Sequence, residues 1–143
     1  MESHPRARNL HAAWDAAIVY ELEDNVDSGT PASTAHQLEQ IYAAEKAADA
    51  WKPGETDDIA WESNQVARTQ IYAALGIPVE PCAPENNSCD NAPKGPVTLD
   101  SSYMNKAATI AGQQLAKAGF RLASLLNGIW SSASPTAACT RKS

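Results

Sequence analysis

His11 and Asp15 are of the types, and at the spacing, that could share a metal ion. They sit four residues apart in a stretch where Leu10, Trp14, Ile18 and Leu22 also recur every fourth residue, the signature of one face of a helix. Side chains at i and i+4 lie one above the other, about 5–6 Å apart at Cβ. A neutral imidazole nitrogen and a carboxylate oxygen can then both reach one Zn2+ at about 2.0–2.2 Å without distorting the backbone. On spacing alone the plainer reading is a solvated polar face or a His–Asp hydrogen bond, so the metal reading rests on what surrounds the pair. His4, next to Pro5, reads as a solvated residue near a chain end, with a reach towards His11 as a third ligand the other possibility. His36 reads as a surface residue.

Positioning such a pair requires a helix, and the sequence offers four helical segments with Gly and Pro between them. The first runs from Leu10 to about Asn25, with Asn9 placed to cap it. The second spans about Ala32 to Ala50 and stops at Trp51-Lys52-Pro53-Gly54. The third opens on Thr56-Asp57-Asp58 and closes at Gly76. The fourth, about Asp100 to Trp130, carries an apolar stripe of Tyr103, Ala107, Ile110, Ala111, Leu115, Ala118, Leu122, Leu125 or Leu126, and Ile129, and is the expected spine. Between the third and fourth, residues 77–98 hold five of the nine prolines, a loop of unusual length for a compact domain. The expectation is an all-α bundle of about four helices over residues 1–130, with a disordered tail over 131–143. Trp14, Trp61 and Trp130 fall among apolar neighbours on these helices and read as packing residues, and Arg121 as a packing or ion-pair residue.

The apolar content is 43%, but 27 of those residues are Ala and only 22 of the 143 are Leu, Ile, Val or Phe. Four helices with so few bulky side chains bury modest area at about 25 cal/mol per Å2, which hints at a missing partner surface. Eleven Lys and Arg against 17 Asp and Glu give a net charge of −6, which argues against gripping nucleic acid by phosphate neutralisation. No run of about 18 apolar residues is present, so no membrane span is expected, and no signal-peptide pattern follows Met1. No phosphate-binding Gly-rich loop, internal repeat or Ser-His-Asp spacing stands out. Of Cys82, Cys89 and Cys139, the first two could close a short disulfide or remain free thiols, since spacing does not fix connectivity. Asn86-Asn87-Ser88 fits a glycosylation acceptor, relevant only to an exported eukaryotic protein.

Asn9-Leu10-His11-Ala12-Ala13-Trp14-Asp15 resembles the Asn-Leu-His-x-x-Trp-Asp segment of the zinc-dependent, single-strand-specific nuclease and 3′-nucleotidase family. Trp61-Glu62-Ser63 is similar to that family's Trp-x-x-Glu-Ser or Trp-Glu-Ser region. The stretch Gln114 to Asn127 is similar to its closing Gln-Leu-x-x-Ala-Gly-x-Arg-Leu-Ala-x-x-Leu-Asn. The resemblance spans about Asn9 to Asn127, and ordered motifs more than a hundred residues apart are far more specific than one pair of ligands.

The resemblance implies the C-terminal half of a larger, mostly helical, phospholipase C-like zinc nuclease, with three Zn2+ ions at the bottom of a cleft and His11 and Asp15 as two ligands of one of them. It implies single-stranded DNA or RNA and 3′-nucleotides as substrates, and secretion or a periplasmic location. It also implies that zinc, not lysine, meets the phosphate, which removes the objection from charge. The family's other ligands lie upstream of the Asn-Leu-His segment, so the chain is expected to lack most of them, to have lost its N-terminal half as packing partner, and to be inactive alone. Ala17 stands where some members carry a base-stacking Tyr, so base preference does not transfer. The alternative is a non-catalytic helical module that keeps a weak His-Asp metal site.

Overall fold

A computed structural model of the chain describes residues 9–25, 30–48, 51, 54–77 and 95–132. His4, the Cys82 and Cys89 pair, Asn86-Asn87-Ser88, most of the proline-rich loop and the tail after Ser132 lie outside the described residues.

The first helix, α1, occupies residues 10–25 and begins where the sequence places its cap. Asn9 is extended (φ −158°, ψ 170°), and its Oδ1 accepts the Ala12 N–H at 2.8 Å. It is not uniform. An α-helical start, Leu10–Ala12, passes into a π turn, Ala13–Ala17, and returns to α-helix over Ile18–Asn25. Helix α2, Pro31–Ile41, has Pro at its first position, where no N–H is needed, and the Thr30 hydroxyl caps the Ser33 N–H at 3.2 Å. A short helix α3, Ala43–Ala47, follows. Helix α4 covers residues 56–75 as Thr56–Val66, a second π turn Ala67–Tyr72 and a 3-10 turn Ala73–Leu75. It ends on Gly76 at φ 64°, the left-handed closure that glycine adopts without a Cβ penalty. Helix α5, Ser101–Ser132, is the spine, and Asp100 Oδ1 accepts the Tyr103 N–H at 2.8 Å at its start. No strand occurs among the described residues, and the fold is all-α.

α1 lies along the N-terminal half of α5, and α2 packs beside it. Ile18, fully buried, meets Tyr103 and Ala107, with Leu10, Trp14 and Leu75 around them. Leu22, Leu38 and Ala108 form a second cluster flanked by Tyr42. Gly112 lets α1 and α2 approach together, since a Cβ there would lie 3.1 Å from both Leu22 Cδ1 and Leu38 Cδ2. The core is as thin as composition implies: among the described residues, five of the ten buried apolar residues are alanines, which offer few atoms for dispersion contact.

Three expectations need correction. The segment expected as one helix from Ala32 to Ala50 is broken at Tyr42 (φ −103°, ψ 22°), whose ring tilts against Trp51 at 5.4 Å. Trp61 and Trp130 do not pack: they are 64% and 70% exposed. The apolar stripe of the spine is buried only in its first half, since every residue from Leu122 to Ser131 is exposed. Ile59 and Ser63 of α4 border Leu122 and Leu125 across an open concavity without burying them. No described helix is long and apolar enough to cross a membrane.

Candidate metal site

His11 lies in the α-helical opening of α1 and Asp15 in its π turn. Their side chains meet: His11 Nε2 and Asp15 Oδ2 are 2.9 Å apart, with the two side chains 85% and 62% exposed. Both project away from the face that buries Ala13, Ala17 and Ile18. Between them Trp14 turns inward, and its indole N–H donates to the Tyr103 hydroxyl at 3.2 Å. The helix is therefore pinned at both ends of the pair, by the Asn9 cap below His11 and by the Trp14 contact beside Asp15. Burial pushes the Tyr103 hydroxyl above its usual range, opposed by the Trp14 bond and reinforced by Tyr72.

The donor set is one imidazole nitrogen and one carboxylate oxygen, a combination that suits zinc. A hydrogen-bond distance of 2.9 Å needs only slight opening to admit a metal, because tetrahedral ligands at about 2.0–2.1 Å stand about 3.3–3.4 Å apart. Among the described residues no group of three His, Cys, Asp or Glu side chains comes together to hold a metal. His36 is elsewhere, exposed on α2 and 3.1 Å from Gln40 Nε2. Ala17 is buried, so its position offers no surface on which a base could stack. The pair is thus an adjacent imidazole and carboxylate open to solvent.

A family model described as S1/P1 Nuclease matches residues 1–131. The chain belongs to the S1/P1 nuclease family. A curated relative, Endonuclease 2 of Arabidopsis thaliana, is 31% identical over 137 residues, a match that covers 89% of this chain and 40% of that protein. The chain thus spans about 40% of the length of the curated relative it matches. No solved structure matches it.

The other two stretches that resemble the nuclease family meet in space. Glu62 on α4 accepts from Lys117 Nζ through Oε1 and from Arg121 Nη2 through Oε2, so Trp61-Glu62-Ser63 is tied to the Gln114 to Asn127 stretch. All three side chains are largely shielded, and the Lys117 and Arg121 bonds hold the Glu62 carboxyl below the usual carboxylate range against the opposing effect of burial. Arg121 is an ion-pair residue, as its place on the spine suggests. From Tyr103, Lys117 is about 20 Å along the spine at 1.5 Å per residue, so this tie positions helices rather than serving the His11–Asp15 pair.

Sequence reasoning missed Trp51. Its ring stacks on Phe120 at 5.6 Å and 23°, with Lys46 over the Phe120 ring and Lys117 over its own. The available signal was the chain's single Phe lying in the same stretch as Lys117 and Arg121. This stack borders a cavity of 780 Å3, lined also by Leu22, Leu38, Leu115 and Asn127. Neither His11 nor Asp15 lines it.

Proposed function

We propose that this chain is the C-terminal part of a zinc-dependent endonuclease that hydrolyses phosphodiester bonds in single-stranded nucleic acid and 3′-nucleotides. The observation that carries the reading is His11 Nε2 beside Asp15 Oδ2 on an exposed helix face, inside a sequence that belongs to the S1/P1 nuclease family.

His11 would offer a neutral ring nitrogen and Asp15 a carboxylate oxygen to one Zn2+, and the remaining ligands of the cluster would come from polypeptide outside this chain. Zinc, when bound, polarises the phosphate and makes bound water acidic enough to serve as nucleophile near neutral pH. The protein's own contribution is orientation. The Asn9 cap and the Trp14–Tyr103 bond fix the helix turn on which both donors stand, and the acidic chain brings no cluster of basic groups to the phosphate. In this reading the isolated chain binds zinc weakly and is inactive, and the intact enzyme works outside the cytoplasm, secreted or periplasmic.

Calorimetry with Zn2+ on the 143-residue chain, with His11→Ala as control and a single-stranded DNA hydrolysis assay on the same sample, tests it. Weak binding that His11→Ala removes, without hydrolysis, is expected. Zinc binding indifferent to His11→Ala would sink the ligand assignment, and hydrolysis by the chain alone would sink its partial character.

A further inference from the structure

The 780 Å3 cavity beside the Trp51–Phe120 stack plays no part in the reading of His11 and Asp15. Its walls come from four elements of this chain, α1, α2, α3 and α5, together with Trp51. Clefts of about 300–1,000 Å3 between helices are where small molecules settle, against chiefly apolar walls with a few placed polar groups. Here Leu22, Leu38, Leu115 and Ala116 supply an aliphatic wall, and Trp51 and Phe120 an aromatic one. The room extends to the backbone of α5, since a Cβ added at Gly119, which lines the cavity, would meet nothing within 4 Å.

The charged groups around this space are mostly of one sign. Among the described residues the lining carries three carboxylates, Glu23, Glu39 and Glu45, and one cation, Lys46. Lys46 shows what the space accepts. Its ammonium lies 5.3 Å from the centroid of the Phe120 ring, and Glu39 accepts a hydrogen bond from it. An ammonium set between an aromatic face and a carboxylate is the arrangement by which proteins hold cationic ligands. Lys46 stands on the five-residue helix α3 and its side chain is 52% exposed, so a competing cation can take its place. Glu45 acts at the same end, where burial and then the Glu45 charge push the Tyr42 hydroxyl above its usual range, beside Trp51. A phosphodiester strand would meet these carboxylates with like charge, in a chain whose net charge is already −6.

We propose that this cavity binds an amphipathic organic cation, an ammonium group carrying an apolar body, and that Lys46 fills the head-group position when no ligand is bound. The ligand ammonium rests against Phe120 and the Glu39 carboxylate, and the apolar body lies along Leu22, Leu38 and Leu115. Charge complementarity excludes a fatty carboxylate, and the apolar walls exclude a small hydrated cation. The proposal does not depend on the nuclease reading, because neither His11 nor Asp15 lines the cavity. It has a consequence of definite sign: Lys46 competes with the ligand for Phe120 and Glu39, so its removal strengthens binding.

The test titrates octyltrimethylammonium, below the concentration at which it forms micelles, into the 143-residue chain, followed by calorimetry and tryptophan fluorescence. Octanoate and a single-stranded oligothymidylate serve as anionic counterparts. The expected result is saturable one-to-one binding of the cation and of neither anion. Lys46→Met should tighten it about two- to fivefold and Glu45→Gln weaken it by a similar factor, the scale of one partly exposed cation contact. Gly119→Leu, which puts a side chain into the cavity and favours the helix, should abolish it. Circular dichroism of all three variants should match the parent chain. Binding that survives Gly119→Leu would place the cation elsewhere and overturn the proposal. Weaker binding by Lys46→Met, or preference for octanoate, would overturn it in favour of an anionic amphiphile held by Lys46. Preference for the oligothymidylate would make the cavity a nucleic-acid subsite, and absence of saturable binding would leave it without a ligand; either result overturns the proposal.

Discussion

The indole N–H of Trp14 donates to the hydroxyl of Tyr103 at 3.2 Å, joining the helix that bears His11 and Asp15 to the head of the spine. Tyr103→Phe keeps the ring and removes the acceptor. A partly shielded N–H then loses its partner, at a cost of about 1 kcal/mol. Urea denaturation should show a lower midpoint with the slope unchanged. The same residue gives an alkaline signature. Because burial raises its hydroxyl above the ordinary tyrosine value of 10.0, the folded state favours the protonated form; this stability is complete below that value and lost as pH rises through the higher folded value. Tyr103→Phe should flatten the stability profile above pH 10.

Glu62 sets the acid side. Its carboxyl is held below 4.5, first by Lys117 and then by Arg121, so the folded state favours the charged form. That contribution is present above the unfolded value and is lost as pH falls through the lower folded one. Glu62→Gln should remove the corresponding acid dependence and leave Lys117 and Arg121 facing each other, at a cost of about 1–2 kcal/mol given partial solvent screening. Thermal unfolding between pH 3 and 6, roughly the range over which carboxylates titrate, reads both effects.

Ile18 is the largest fully buried side chain among the described residues, and it joins α1 to Tyr103 and Ala107. Ile18→Ala should cost about 2–5 kcal/mol, a large part of what a small domain has. With so few other bulky residues to close the gap, the expected outcome is loss of a cooperative thermal transition, measured by circular dichroism.

Gly112→Ala should behave in the opposite way. A new methyl would press at 3.1 Å on the ends of Leu22 and Leu38, yet both leucines border the 780 Å3 cavity and have space to give. Replacing glycine within a helix is worth about 0.8–1.0 kcal/mol. The variant should therefore melt at or above the wild-type temperature; a clear fall would mean the leucines are held more tightly than the cavity implies.

Much of this fold was legible because the signals are local. Asn9 and Gly76 bound their helices where capping chemistry places them, and Leu10, Ile18 and Leu22 point inward as their spacing requires. What spacing cannot encode is which apolar face finds a neighbour. The same periodicity continues from Ile110 to Leu125, yet the first is buried and the second exposed. The break at Tyr42 was equally hidden, since its position beside Trp51 is tertiary and alanines on either side favour a continuous helix. For the site, the His11–Asp15 proximity followed from spacing, whereas Glu62 was visible only as part of a motif, with its partners 55 and 59 residues away.

The π turn Ala13–Ala17 has a further consequence, for the phase of α1. A turn closed by i→i+5 bonds holds one residue more than an α-helical turn, and everything beyond it is rotated by about 100° relative to a regular helix of the same sequence. Since His11 lies before the turn and Ile18 and Leu22 after it, this extra residue is what clocks the His11 face against the packing face. Deleting one of the alanines would leave the composition almost untouched and turn His11 to a different compass point around the helix.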